Sequence, residues 1–194
     1  MLRDVVAEDP SQLDAYALLA RLHAANGQLD RAIAVYDAIA KQSRAPAAAF
    51  TMIALLQEAR GDREAAQEAY EKALAADPAV GTAANNLAWI YAEGGRFDEA
   101  LRHAASAQQT LPQRAEPEDT LGWVYYRKGD AVRAIEAFDQ AVTRAPEKPV
   151  YHDHLGLARL KARQIDQGRS ALQRALALGL SGADGDNAKS VLAR

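Results

Sequence analysis

The chain contains no cysteine, which excludes disulfides and thiolate metal or redox centres and leaves either a reducing cytoplasm or a bacterial periplasm compatible. It has no apolar run approaching the roughly 18 residues needed to cross a bilayer, and its first residues lack the charged-then-apolar pattern of a signal peptide. Direct membrane insertion of this segment is not expected. Basic residues are not in excess either: a net charge of -3 and a pI near 5.8 provide no clustered Lys and Arg surface for nucleic acid. No Gly-rich phosphate loop, nucleophile elbow or HExxH pattern occurs, so no carrier for catalysis or a cofactor is visible and enzyme activity is not expected. β-branched runs are scarce. Ala dominates a composition that is 49% hydrophobic, which favours helix, and Arg outnumbers Lys as in high-GC bacterial sources.

Aromatics are also few, at 6%, yet both tryptophans occupy the same place in a repeated phrase. Asn85-Asn86-Leu87-Ala88-Trp89-Ile90-Tyr91 returns 34 positions later as Asp119-Thr120-Leu121-Gly122-Trp123-Val124-Tyr125. The same step of 34 links Gly27, Gly61, Gly95 and Gly129. It also links Ala32, Ala66, Ala100, Ala134 and Gly168, then Leu19, Ile53, Leu87, Leu121 and Leu155, then Ala20, Ala54, Ala88, Gly122 and Gly156, and the prolines Pro78, Pro112 and Pro146. In the fourth unit Leu121, Gly122 and Tyr125 form one helical stripe, and Ala134, Phe138 and Ala141 form another. The two stripes must face each other, with Gly122 and Ala134 letting the backbones approach and Gly129 with Asp130 turning the chain between them.

A Leu-small pair, a Gly between helices, an Ala in the second helix and a closing Pro at this period resemble the tetratricopeptide repeat. The resemblance implies an all-α fold, a right-handed superhelical solenoid of helical hairpins. Units are expected at 13–46, 47–80, 81–114, 115–148 and 149–182. Residues 1–10 read as the second helix of a preceding repeat whose first helix is missing, since Leu2, Val5 and Val6 fall 34 positions before Tyr36, Ile39 and Ala40. The chain is therefore expected to be cut from a longer array at its N-terminus, or to bury that half-repeat against a second copy. The fifth unit has Arg163 in place of Gly, Gly168 in place of Ala and Leu180 in place of Pro, and is expected to be looser. Ser181 to Asp186 reads as a turn-like link, followed by a short capping helix within 184–194 at the native C-terminus.

In this family the side of each first helix away from the packing stripe lines a concave groove. That side carries Asp14, Arg21 and Ala24, then Thr51, Leu55 and Glu58, then Asn85, Trp89 and Glu93. Asp119, Trp123, Tyr126 and Arg127 follow, and finally Asp153, Leu157, Leu160 and Lys161. The partner-binding candidates are Arg21, Asn85, Trp89, Glu93, Asp119, Trp123, Tyr126, Arg127, Asp153 and Lys161. Trp89 and Trp123 are expected as neighbours on adjacent helices, serving as a peptide anchor, as packing between first helices, or as both.

Other constellations point to the surface. His152 and His154 lie about 200° apart on a helix, cannot share one ion, and read as a surface pair. His23 takes a packing place and His103 an outer one, while Glu64, Glu68 and Glu71 form a solvated face with Lys72. The carboxylate clamp found in part of the family is not expected, because Asn85, Trp89, Thr120, Val150 and His154 stand at its places without basic residues. The paired Trp phrases followed by Tyr151-His152-Asp153-His154-Leu155 are similar to bacterial repeat proteins of exopolysaccharide and exosortase loci, which act as assembly scaffolds. Two functions are expected: a scaffold binding a partner peptide or helix in the groove, or a spacer that self-associates as a homodimer through Leu2, Val5 and Val6. Glycan stacking on the aromatics is a third, resting on family analogy alone.

Overall fold

The computed structural model describes residues 13–193, with side chains from residue 15 onward. Eleven α-helices and no strand occur among these residues. They are α1 (Leu13–Ala25), α2 (Leu29–Gln42), α3 (Ala47–Arg60), α4 (Arg63–Ala76), α5 (Gly81–Glu93), α6 (Phe97–Thr110), α7 (Glu116–Lys128), α8 (Ala131–Arg144), α9 (Pro149–Lys161), α10 (Ile165–Ala177) and α11 (Gly182–Leu192). The chain divides into two compact units, Met1–Leu87 and Ala88–Arg194, the division falling inside α5. This is an all-α helical-repeat fold. Leu2, Val5 and Val6 lie outside the described residues.

The small-residue ladders are the places where helices touch. Ala32 and Ala66 in the first unit, and Ala100 and Ala134 in the second, have no exposed surface, nor do Ala20, Ala54 and Ala88. The larger neighbour in each hairpin fills the gap left by the small one. A Cβ on Gly122 would sit 2.5 Å from the Phe138 ring, and Phe138 is itself fully buried. Burial of that ring contributes roughly 1.5–3 kcal/mol.

Turns follow from two adjacent residues. Gly129 takes φ +93°, and the amides of Gly129 and Asp130 close the end of α7 by bonding the carbonyls of Tyr126 and Tyr125 at 3.2 and 2.9 Å. The Asp130 side chain then accepts from the Arg133 amide at 3.2 Å, starting α8. Gly61 and Asp62 repeat the device in the first unit, with Asp62 accepting from the Ala65 amide at 3.1 Å. At the corresponding place between α9 and α10, Arg163 adopts φ +62° and keeps the same bonds, its amide and that of Gln164 reaching Leu160 and Arg159 at 3.0 and 2.9 Å. The turn geometry survives although the residue suited to it is absent.

The fifth hairpin is not loosened as its sequence departures predict. A Cβ on Gly168 would meet the Leu160 side chain at 2.7 Å and the Gly156 carbonyl at 3.1 Å, and one on Gly156 would meet Leu172 at 2.8 Å. Two facing glycines bring α9 and α10 into backbone contact, with Leu160 and Leu172 supplying the bulk. The segment read as a link is likewise mostly helix, because α11 begins at Gly182. Gly185 is there for close approach rather than for a turn: a Cβ would lie 2.8 Å from the Leu180 carbonyl oxygen. Ala188 is fully buried, and Arg169 donates to the Leu192 carbonyl at 2.6 Å, holding the end of α11.

Candidate functional site

Helices α7 and α9, with the last turns of α5, carry an aromatic face within the second unit. Because α7 packs against α9 and the repeat step is 34, residues at one repeat place stand side by side. Trp89 and Trp123 stack with ring centroids 4.8 Å apart and planes 7° from parallel. Tyr126 lies 5.3 Å from Trp123, and the His154 ring lies 4.8 Å from Trp123 and 5.8 Å from Trp89. Phe138 backs the imidazole at 5.4 Å. The two indoles are half-buried, so they pack on each other and still show an edge of the stack to solvent.

Polar contacts fix the stack. The Trp123 indole N–H donates to Glu93 Oε1 at 2.8 Å, and the Arg127 guanidinium donates to the same oxygen. Lys161 donates to the Tyr126 carbonyl at 2.7 Å and places its ammonium 4.3 Å from the centre of the Tyr126 ring. Glu93, Arg127 and Lys161 thus form a polar row alongside the apolar row of Trp89, Trp123 and Leu157.

Beneath the stack the structure departs from the sequence reading. His154 is only 8% exposed, and its Nδ1 lies 2.8 Å from Asp119 Oδ1, itself on a residue 7% exposed. The rotation separating His152 from His154 holds, but it sends one inward and one outward. His152 reaches the Pro146 carbonyl at 2.9 Å, whereas His154 is core. Asp119 is correspondingly spent on His154, and Asp153 is 3% exposed, so the fifth place of α7 and α9 is floor rather than rim. Burial alone would push the His154 proton off, but the Asp119 charge and hydrogen bond, helped by Asp153 and Asp184, outweigh it and raise the imidazole above its ordinary value. Burial and the charge of Asp184 push the Asp153 carboxyl up to about 6 against the opposing pull of His154.

Glu118 is also buried, held by Arg144 at 2.5 Å and Gln108 at 2.6 Å. It borders an open hollow of about 250 Å³ lined by Gln108, Leu121, Tyr125, Arg133 and Gln140, on a different side of α7 from the indoles. Two candidates belong to the first unit. Arg21 is exposed, its Nε directed to the Ala17 carbonyl, and Asn85 is half-buried, with its amide nitrogen 3.3 Å from Asn86 Oδ1. Also in that unit, Asn86 donates to the Tyr70 hydroxyl and the hydroxyl to Glu58, both at 2.7 Å. The sequence did contain a signal for these buried groups: Asn86, Thr120 and His154 keep one repeat place, each just before the packing Leu. A polar residue recurring beside a core residue marks an internal hydrogen bond.

Two models of the tetratricopeptide repeat match, one over residues 51–115 and 120–149, the other over residues 1–56. The chain belongs to the tetratricopeptide repeat family. No curated protein matches significantly. Among solved structures of this repeat fold, MamA (residues 41 to the end) from Desulfovibrio magneticus RS-1 is 18% identical with a TM-score of 0.75, over 87% of this chain and 95% of that one. The PilF protein of Pseudomonas aeruginosa is 21% identical with a TM-score of 0.75, over 93% and 87%. YrrB, described as a TPR protein with an unusual peptide-binding site, is 18% identical with a TM-score of 0.73, over 97% of each chain. At these identities the likeness concerns the repeat fold.

Proposed function

We propose that this tetratricopeptide repeat protein is a non-enzymatic scaffold that binds an extended or helical segment of a partner protein along the aromatic face of its second unit. The observation that carries the reading is the stacked, half-exposed Trp89–Trp123 pair, held by Glu93 and flanked by Tyr126, Leu157 and the cations of Arg127 and Lys161. Rigid aromatics set in a polar frame are the usual anchors of peptide recognition, each worth about 2 kcal/mol or more where they dominate. A peptide site reported for YrrB, on the same fold, agrees with this use of the repeat. The kinship with repeat proteins of exopolysaccharide and exosortase loci gains no support from the relatives found, and the reading stands on the face alone.

The test is capture of partners from the source organism by the wild-type chain and by Trp89→Ala/Trp123→Ala, with helicity followed by circular dichroism. The partner is expected to be lost while the chain stays helical. Full capture by the folded double variant would refute the reading.

A second function, self-association, is favoured by Leu18 and Leu22, one turn apart on α1 and each 45% exposed. A second copy covering this apolar edge would give a dimer in sedimentation that Leu18→Ser/Leu22→Ser dissolves. A monomer at high concentration would remove this reading.

A further inference from the structure

The repeat places of Asp119 and His154 are held elsewhere by Ala17 and Met52, Thr51 and Asn86, Asn85 and Thr120, and Asp153 and Ala188, none of them an oppositely charged pair. A buried ion pair adds little net stability, because neutral residues of similar volume do as well or better. The one such pair in the ladder lies under both indoles. His154 Nδ1 meets Asp119 Oδ1 at 2.8 Å, and the imidazole lies 4.8 Å from Trp123, 5.8 Å from Trp89 and 5.4 Å from Phe138. Rings from α5, α7 and α8 thus enclose it. Charge reaches it from Asp119 on α7, from Asp153 on its own helix and from Asp184 on α11, all three carboxylates. They keep its proton bound above the ordinary 6.5 in spite of burial. In that state the ring is a cation set against the π systems of two indoles.

We propose that His154, as an imidazolium bonded to Asp119, is the positioning residue of the binding face: it holds the Trp89–Trp123 stack in place, and partner binding weakens when the imidazole is deprotonated. A neutral ring still hydrogen-bonds Asp119, but it no longer attracts the indoles as a cation, and Asp119 loses the charge it pairs with. The hold is complete below the ordinary imidazole value and is lost as pH rises through the higher value of the folded chain. The inference rests on the binding face proposed above and adds what fixes its geometry.

The test follows the two indole N–H signals of the full ¹⁵N-labelled chain from about pH 5 to about pH 9.5. Both are expected to move together in one step above 6.5, and acrylamide quenching of the indoles should rise across the same step. A step near 6 belongs to Asp153. The upper step should vanish in His154→Asn, whose amide keeps a donor near the Nδ1 place but does not titrate, and persist in His152→Asn. Asp119→Asn should move it to lower pH, which decides the matter if His154→Asn fails to fold. No step above 6.5 in the wild type, the same step in His154→Asn, or a step unmoved in Asp119→Asn would each overturn the proposal. Partner capture by the wild type should fall between about pH 6.5 and about pH 9. Capture equal at both values, yet lost in Trp89→Ala/Trp123→Ala, would overturn this inference and leave the binding face standing.

Discussion

Replacing Asp153 with Asn should make the second unit more stable at neutral pH, and the gain should grow with pH. An unfolded Asp ionises near 3.8, whereas in the folded chain the carboxyl holds its proton to about 6. Between those values the folded chain keeps a proton that the unfolded chain has released, so stability falls as pH rises across the window and the loss persists above it. At about 1.4 kcal/mol per pH unit, a displacement of some two units corresponds to roughly 2–3 kcal/mol. A buried Asn amide still wants partners, which returns about 1 kcal/mol of that. The variant should therefore exceed the wild type by about 1–2 kcal/mol at pH 7.5, and its advantage should increase by roughly 2 kcal/mol between pH 4 and 7.5 before levelling. Urea unfolding followed by tryptophan fluorescence is the assay, because Trp89 and Trp123 are the only tryptophans and both lie in the unit that carries Asp153. Taking the difference between two chains at each pH cancels titrations they share. A difference that does not change with pH, or a wild type that gains on the variant as pH rises, would refute the reasoning.

Two further substitutions test the packing and the turns. Arg163→Gly should stabilise the second unit by about 0.5–1 kcal/mol, because Arg163 holds φ +62° where a side chain is strained. A lowered urea midpoint would contradict that account of the turn. Gly122→Ala should cost roughly 1–3 kcal/mol, since its Cβ would overlap the Phe138 ring, and adding Phe138→Leu should recover part of the loss. A thermal midpoint unchanged by Gly122→Ala would show that the ring can step aside freely.

The repeat was legible in the sequence because its ladders are set by contact. Ala134 and Gly122 have no room to be larger, and Gly129 must adopt a left-handed turn, so each leaves its residue type at a fixed step. The fifth unit was misjudged for a related reason. Read singly, Gly168 looks like a lost packing residue, but paired with Gly156 it permits a closer approach, and only the facing helix reveals that. The stacked indoles were legible as neighbours from the period alone. The buried Asp119–His154 pair was not, since two residues on different helices declare no partnership when each also suits a surface. The polar place kept by Asn86, Thr120 and His154 carried the signal, at a position where outward and inward faces differ by one residue.

The most direct test of the binding face leaves the protein unaltered. Acrylamide quenching of Trp89 and Trp123 is measured in the wild-type chain, alone and saturated with its captured partner. If the stacked pair anchors the partner segment, the exposed edge of the indoles is covered and quenching falls on binding. Quenching unchanged at saturation would place the partner elsewhere and contradict the account.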